Sequence, residues 1–166
     1  MNKSKKVVLI GYYGVGKTSL INQYVHKSFS EEYLTTIGVK IEKKVVDVDG
    51  DNMTMMIWDI AGESTSVKTP QSYKSGAHGI IYVFDVTRPV TYQNLENELL
   101  NLEVVLPNVP ISIVGNKSDL LDENSLEQIQ LDLGLKRKCT FTSALSGDNV
   151  EELFLQLAKS MINGTK

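Results

Sequence analysis

Gly11-Tyr12-Tyr13-Gly14-Val15-Gly16-Lys17-Thr18 matches the phosphate-loop pattern G-x-x-x-x-G-K-[ST] at every fixed position. An apolar, strand-like run ends at Ile10, and a helical pattern starts at Lys17. A strand that turns through glycines into a helix points several backbone N–H groups at one place, where the helix terminus adds partial positive charge. The stretch therefore predicts a polyphosphate site, with Lys17 on the β- and γ-phosphates and the Thr18 hydroxyl on Mg²⁺. A chance match by a glycine-rich turn is the alternative.

The composition is typical of one globular domain spanning residues 1–166. Hydrophobic residues make up 42% and charged residues 22% of the chain, which is enough to bury a core. The formal net charge of −3 argues against a protein that binds nucleic acid.

Cysteine usage and the chain ends bear on location. Cys139 is the only cysteine, so no internal disulfide can form and a reducing, cytoplasmic location is expected. No apolar run reaches membrane-spanning length, residue 2 is Asn rather than the glycine needed for myristoylation, and the last residues hold no prenylatable cysteine. We expect no membrane anchor in this chain, and membrane association only if a lipidated tail was removed.

Strand-like runs alternate with helical patterns along the chain. The runs at 79–85 and 110–116 are almost continuously apolar, which is typical of central strands in a parallel sheet covered on both faces. The other strand-like runs are 5–10, 38–47, 53–59 and 138–142. Helical patterns cover residues 17–26, 90–106, 125–133 and 149–163.

One strand-like run differs from the rest. Residues 38–47 alternate between apolar and charged side chains and lead directly into Asp49-Gly50, a strong hairpin signal. This predicts an antiparallel edge strand beside residues 53–59. Together the patterns predict a doubly wound α/β fold, with a mostly parallel six-stranded sheet and one antiparallel edge strand. In such folds ligands bind beyond the carboxyl ends of the strands.

Two of these strand ends carry residues suited to a purine base. The run at 110–116 leads into Asn116-Lys117-Ser118-Asp119, and an aspartate here can accept hydrogen bonds from the N1–H and 2-amino groups of guanine. Adenine has an acceptor at N1 and no 2-amino group, so the same carboxylate would reject it. The next strand end reads Thr142-Ser143-Ala144-Leu145, where a backbone N–H could meet guanine O6. A turn favoured by Asn and Asp is the structural alternative.

A third strand end predicts contacts to Mg²⁺ and to a γ-phosphate. Residues 53–59 are followed by Ile60-Ala61-Gly62-Glu63. Asp59 is placed to hold Mg²⁺ through a water, and Gly62 allows its N–H to approach a phosphate oxygen closely. A strand-end turn is again the alternative for Asp59. The polar loop at 29–38 is long enough to fold over a nucleotide, and Thr36 in it could complete the Mg²⁺ shell.

The motifs, taken in order, resemble those of the Ras superfamily of small GTPases over essentially the whole chain. The segments that carry the resemblance are 11–18, Thr36, 59–62, 116–119 and 143–144. The chain looks most similar to the Rab-like branch, on residues 36–39, 57–59, 73–79, 85–87 and 147–152.

The resemblance implies a molecular switch that binds GTP or GDP with Mg²⁺ and hydrolyses GTP. It implies that Phe29 stacks edge-on against guanine and that Lys117 packs over it. The implied Mg²⁺ ligands are Thr18, Thr36 and Asp59, and the implied catalytic residues are Lys17, Thr36, Gly62 and Glu63. The implied nucleotide contacts are Tyr13, Gly14, Val15, Gly16, Lys17, Thr18, Ser19, Phe29, Tyr33, Thr36, Gly62, Asn116, Lys117, Asp119, Ser143, Ala144 and Leu145.

The resemblance also implies protein partners. Effectors, exchange factors and activating proteins would contact two segments of a monomer, switch I (residues 29–38) and switch II (residues 59–76). Such loops, when held by γ-phosphate and Mg²⁺ alone, release on hydrolysis.

Two residues depart from the family pattern. Glu63 stands where the family has the glutamine that orients the attacking water, and a glutamate offers only acceptors and a charge that opposes phosphate. Tyr13 stands where relatives carry glycine or another small residue, and its phenol would project near the γ-phosphate, where an arginine finger enters. We therefore expect slow hydrolysis and blocked or altered activation. The alternative for Tyr13 is a side chain that swings to solvent.

Two other functions fit parts of the sequence. A GTP-binding interaction module with negligible turnover (a pseudo-GTPase) would keep every binding residue and alter the water-positioning one. A phosphate-loop kinase is less consistent, because it needs a second substrate pocket and does not require residues 116–119.

Overall fold

A six-stranded mixed sheet forms the centre of the computed structural model, which describes residues 3–32, 34–64 and 67–164. The strands are β1 (Lys3–Ile10), β2 (Val39–Val48), β3 (Asp51–Ile60), β4 (Gly79–Asp85), β5 (Ile111–Asn116) and β6 (Thr140–Thr142). Their order is β2-β3-β1-β4-β5-β6, and neighbours are parallel except for the antiparallel pair β2–β3. The predicted doubly wound α/β fold with one antiparallel edge strand is confirmed.

β2 and β3 form the predicted hairpin. Val48 pairs with Asp51, and the two turn residues have φ values of 53° at Asp49 and 91° at Gly50. Positive φ at both positions is typical of a type I′ turn, which Asp-Gly favours because glycine adopts this backbone conformation without strain. The pairing begins at Asp51, earlier than the predicted start of the strand at residue 53.

The described residues form five α-helices, which are α1 (Lys17–His26), α2 (Gln71–Lys74), α3 (Leu95–Val105), α4 (Glu123–Leu133) and α5 (Val150–Asn163). Of these, α2 was not among the four predicted stretches and α4 begins two residues earlier than predicted. The predicted helix at 90–106 is divided into a 3₁₀ turn (Pro89–Thr91) and the helix α3, because the buried Thr91 hydroxyl donates to the Arg88 carbonyl at 2.7 Å and accepts the Asp85 N–H at 3.0 Å. These bonds tie the turn to the end of β4.

Helices cover both faces of the sheet. Val7 and Leu9 of β1 belong to a cluster with residues of α1 and α5, whereas Val8 and Ile10 belong to a second cluster with residues of α3 and α4. Successive side chains of a strand point to opposite faces, so a strand covered on both sides must be apolar throughout. This double burial fixes the end of β1, and with it the start of residues 11–18.

The last strand is shorter than the predicted run at 138–142, and Cys139 lies just before it. Burial raises the pKa of the Cys139 thiol to about 11, so the group stays protonated and unreactive at neutral pH. None of the helices in the described part of the chain has the length and apolar character needed to cross a bilayer.

Candidate functional site

The carboxyl ends of β1, β3, β5 and β6 surround a cavity of about 580 Å³. The sequence-predicted residues that line it are Tyr13, Gly14, Gly16, Lys17, Thr18, Ser19, Phe29, Thr36, Gly62, Asn116, Lys117, Asp119, Ala144 and Leu145. Val15, Asp59, Glu63 and Ser143 are buried and do not line the cavity. Tyr33 lies outside the described residues. The fold thus gathers into one cavity the motifs that the sequence separates by more than a hundred residues.

Two glycines allow the turn at residues 11–18 to pack against the strands. A Cβ on Gly11 would lie 2.1 Å from the Val83 carbonyl oxygen, and a Cβ on Gly16 would lie 2.2 Å from Asn116 Nδ2. Both residues have positive φ, at 147° and 100°, which L side chains rarely adopt. Gly16 is also the N-cap of α1 and has no side chain to cap the helix, so an anion can take the first N–H groups.

Lys17 lies buried at the floor of this turn. Its Nζ donates to the Gly11 carbonyl at 3.0 Å and to the Tyr12 carbonyl at 2.8 Å, which leaves one of three N–H groups for a phosphate. Burial lowers the pKa of Lys17 to about 8, although the negative charges of Asp59 and Glu63 act to raise it. The ammonium is therefore poorly solvated, and an anionic ligand would stabilise it.

Three oxygen-bearing side chains meet beside Lys17. The Thr18 hydroxyl donates to Asp59 Oδ2 at 2.6 Å and lies 2.9 Å from the Thr36 hydroxyl. Asp59 Oδ1 is buried with no hydrogen-bond partner among the described residues, and burial raises the pKa of this carboxyl despite the Thr18 bond and Lys17. One carboxylate and two hydroxyls are hard oxygen donors of the kind that Mg²⁺ takes together with phosphate oxygens. These residues fit Mg²⁺, and β3, α1 and switch I each supply one of them.

Asn116 joins the phosphate turn to the end of β6 and the residues that follow it. Its Nδ2 donates to the Val15 carbonyl at 2.9 Å, and its Oδ1 accepts the Thr142 hydroxyl at 3.1 Å and the Ala144 N–H at 3.2 Å. Asn116 is 1% exposed, and these three hydrogen bonds satisfy its buried amide. Asn116 therefore fixes the position of the phosphate turn relative to the strand ends that carry the base-reading residues.

Asp119 lines the same cavity as Lys17. The Ser143 hydroxyl donates to Asp119 Oδ1 at 2.7 Å, and the carboxylate is otherwise open to the cavity and to solvent. This bond orients the carboxylate without using its second oxygen. A backbone N–H of the stretch 142–145 was predicted to meet guanine O6, and within that stretch the Ala144 N–H donates to Asn116 Oδ1.

The sequence reasoning missed the role of Asp85, which lies at the buried end of β4. Its Oδ2 is 2.7 Å from Lys117 Nζ, which also donates to the Gly14 carbonyl at 2.8 Å. Burial alone would raise the pKa of Asp85, but Lys117 and Thr87 hold it below its ordinary value. Lys117 thus connects the phosphate turn to β4. An aspartate at the carboxyl end of an apolar strand, as at Asp59, was the signal that could have revealed this.

Glu63 does not face the cavity. Its side chain is 5% exposed, its Oε1 accepts the Thr69 N–H at 2.7 Å, and its Oε2 is 3.9 Å from Lys68 Nζ. The carboxylate is therefore turned toward the residues of switch II that follow it.

Tyr13 lies at the rim of the cavity, with 54% of the residue exposed. Arg88 Nη1 donates to the Tyr13 carbonyl at 3.1 Å, and the guanidinium carbon is 5.3 Å from the centre of the Tyr13 ring. A positive guanidinium group is attracted to the face of an aromatic ring, so Arg88 restrains the side chain of Tyr13. Arg88 was not predicted as a site residue, and nothing in the local sequence pattern marks it.

Comparisons with known proteins agree with this geometry. A model of the Ras family matches residues 6–163. The human Ras-related protein Rab-4B is 35% identical over 162 residues, which cover 95% of this chain and 76% of that protein. Bovine Ras-related protein Rab-4A is also 35% identical over 162 residues, covering 95% of this chain and 74% of its own length. Ras-related protein Rab-8B of Pongo abelii is 34% identical over 163 residues, covering 95% and 78%.

Proposed function

The chain belongs to the Ras family, in its Rab-like branch, and on this premise we propose that it is a GTP-binding switch that hydrolyses GTP slowly. The observation that carries the proposal is one cavity lined both by Lys17 of the phosphate turn and by Asp119. Its roughly 580 Å³ falls within the usual range for small-ligand sites. The guanine preference rests on the Asp119 carboxylate, which Ser143 orients.

Mg²⁺ would be held by Thr18, Thr36 and Asp59, and when bound it would neutralise charge that develops on the phosphates. The chain's own contribution begins with Lys17, whose remaining N–H can donate to a phosphate oxygen. The amides at the start of α1 add donors that need no rearrangement. Hydrolysis breaks the bond between the γ-phosphorus and the bridging oxygen, and the water's oxygen becomes part of the released phosphate.

Two features support slow turnover. The Glu63 carboxylate is hydrogen bonded to Thr69, so it does not orient a water while that bond persists. Tyr13 occupies the rim of the cavity, where an activating arginine would otherwise enter. The placement of Glu63 also supports the second candidate, a GTP-binding module with negligible turnover, since every binding residue is kept.

Single-turnover hydrolysis of GTP tests the proposal. We expect Glu63→Gln to raise the rate about tenfold, because a neutral amide accepts the Thr69 N–H less strongly than a carboxylate and is therefore freer to turn toward an attacking water. Tyr13→Gly should raise the rate as well, by opening the rim. Glu127→Gln, the same change at an exposed position on α4, is the matched control.

The outcomes of that assay separate the candidates. A measurable wild-type rate that rises in either variant supports a slow switch. GTP retained after purification, with no turnover in the wild type or in Glu63→Gln, would favour the interaction module. An unchanged rate in both variants contradicts the roles given to Glu63 and Tyr13.

Nucleotide binding should take up a proton at Lys17. A bound polyphosphate favours the ammonium, so a pKa of about 8 before binding must rise on binding. The affinity for GDP should therefore fall as the pH rises above 8, by about tenfold between pH 7 and pH 9, with roughly half a proton taken up per nucleotide at pH 8. Calorimetry in two buffers of different ionisation enthalpy measures this uptake. Guanosine, which lacks phosphate, is the control. If its affinity depends on pH as strongly as that of GDP, the titrating group contacts the base and is not Lys17.

Partners and location follow from the same proposal. We expect effectors, exchange factors and activating proteins to contact switch I and switch II, which expose Leu34 (75%), Ile37 (91%) and Val67 (60%). A monomeric single domain spanning residues 1–166 and a cytoplasmic location stay predictions.

A further inference from the structure

The carbonyl groups at the start of the phosphate turn each accept a hydrogen bond from a side chain. The donors are Lys17 for Gly11 and Tyr12, Arg88 for Tyr13, Lys117 for Gly14, and Asn116 for Val15. No peptide bond in the described residues is cis, and in a trans peptide the carbonyl and the N–H of the next residue point in nearly opposite directions. A donor on one of these carbonyls therefore also fixes the direction of the N–H that follows it.

Arg88 holds the peptide unit between Tyr13 and Gly14. Its Nη1 donates to the Tyr13 carbonyl at 3.1 Å, so the Gly14 N–H points away from Arg88. Gly14 lines the cavity, whereas Arg88 does not. Among the described residues the Gly14 N–H has no protein acceptor, whereas the Tyr13 N–H donates to the Glu63 carbonyl at 2.9 Å. The Gly14 N–H is therefore a donor that the Arg88 contact keeps ready for a phosphate oxygen.

The backbone from which the Arg88 side chain extends is itself fixed at the end of β4. The Arg88 N–H donates to the Asp85 carbonyl at 3.0 Å, and the Arg88 carbonyl accepts the buried Thr91 hydroxyl at 2.7 Å. At the other end, the guanidinium carbon lies 5.3 Å from the centre of the Tyr13 ring. A side chain held at both ends keeps its hydrogen bond at a smaller cost in conformational entropy than a free surface arginine does.

Arg88 differs in origin from the other donors to these carbonyls. Lys17, Asn116 and Lys117 belong to the motifs that predict nucleotide binding, whereas Arg88 lies outside those motifs. Each donor holds one peptide unit of the turn, and a turn held in this way needs less ordering when it binds a ligand. Arg88 is thus an addition that this chain makes to the donors of its motifs.

We propose that Arg88 is a positioning residue for phosphate binding, which holds the Tyr13 carbonyl so that the Gly14 N–H stays directed at the phosphates of a nucleotide. The inference rests on the proposed guanine-nucleotide function. Gly14 has a φ of 72° and no Cβ, so without Arg88 this peptide unit turns more freely, and ordering it again on binding lowers the affinity. Because a phosphate loop holds the α- and β-phosphates through its backbone N–H groups, the loss depends on how many phosphates the ligand carries.

Equilibrium affinities for GDP and GMP, both measured with Mg²⁺ by competition against a fluorescent GDP analogue, test this role. Arg88→Ala should weaken GDP binding about fivefold, the size expected for one half-exposed hydrogen bond, and GMP binding by less than about twofold. The ratio of the two affinities therefore falls. Arg137→Ala is the matched control, because Arg137 is half exposed, pairs with Glu103 of α3 and does not line the cavity. It should leave both affinities unchanged.

A second background separates the Tyr13 carbonyl from the Tyr13 ring. Tyr13→Ala removes the ring and keeps the carbonyl, so adding Arg88→Ala to it should still weaken GDP binding about fivefold. If the effect of Arg88→Ala disappears in this background, the contact acts through the ring and the role given to the carbonyl is wrong.

The ratio of GDP to GMP affinity decides the remaining outcomes. An unchanged ratio in Arg88→Ala overturns the proposal, whether both affinities stay the same or both fall equally, since an equal fall indicates a merely structural role. If Arg88→Ala does not fold, as judged by circular dichroism, the ratio for Arg88→Gln decides, because its amide ends short of the Nη1 position. If the wild type binds ADP as tightly as GDP, the proposed guanine-nucleotide function fails, and that outcome is distinct from an unchanged ratio.

Discussion

Replacing Asp119 with asparagine should weaken GDP binding by roughly 10²–10⁴-fold and at the same time improve the binding of xanthosine diphosphate. The carboxylate offers acceptors only, which suits the N1–H and 2-amino donors of guanine. An asparagine amide offers one donor and one acceptor, so against guanine one donor of the amide faces the 2-amino group. Xanthine carries an oxygen at that position and accepts the donor. The carboxylate's fixed geometry, set by the Ser143 hydroxyl at 2.7 Å, makes the exchange of partners possible without rebuilding the cavity.

Competition binding with the two diphosphates measures this exchange. Asp51→Asn, the same change at an exposed position in the β2–β3 hairpin, should leave both affinities unaltered. If Asp119→Asn weakens both nucleotides to the same degree, then Asp119 supports the local structure through Ser143 and does not read the base.

Much of the fold could be predicted because its determinants are local. The apolar run of β4 is buried at every position, and the Asp49-Gly50 turn has the backbone conformation that this pair of residues favours. The division of the predicted helix at 90–106 into a 3₁₀ turn and α3 could not be predicted from the local sequence. It depends on the Thr91 hydroxyl reaching Asp85, and a periodicity of apolar residues contains no information about that contact.

The same distinction between local patterns and contacts of distant residues applies to the candidate site. The phosphate turn and the residues at 116–119 could be identified from the sequence because each is a short contiguous motif whose residue types already indicate what it binds. The direction of the Glu63 side chain was not, because it depends on the Thr69 N–H and on the distant Glu98, through Lys68. The same holds for Asp85 and Arg88, whose roles arise only when β4 is placed beside the phosphate turn.

Replacing Asn116 with aspartate should lower the free energy of unfolding by about 3 kcal/mol at pH 7 and abolish tight nucleotide binding. The change keeps the shape of the side chain but turns the donor facing the Val15 carbonyl into an acceptor. The other oxygen keeps its bonds from Thr142 and Ala144, so the loss is confined to one contact. For a chain of this length the loss corresponds to a fall in Tm of about 6–12 °C. Asn124→Asp, an exposed change on the first turn of α4, is the control.

The pH dependence identifies the cause of that loss. A buried aspartate has its pKa raised above the unfolded value of about 3.9, and its protonated form can again donate to Val15. The folded variant then binds more protons than the unfolded chain between these two values, so its stability relative to wild type falls as the pH rises through them. Denaturant unfolding of both proteins at pH 4.5 and pH 7 should show the deficit growing with pH. A deficit that is the same at both pH values would mean that steric repacking, and not an unpaired buried charge, is what Asn116 prevents.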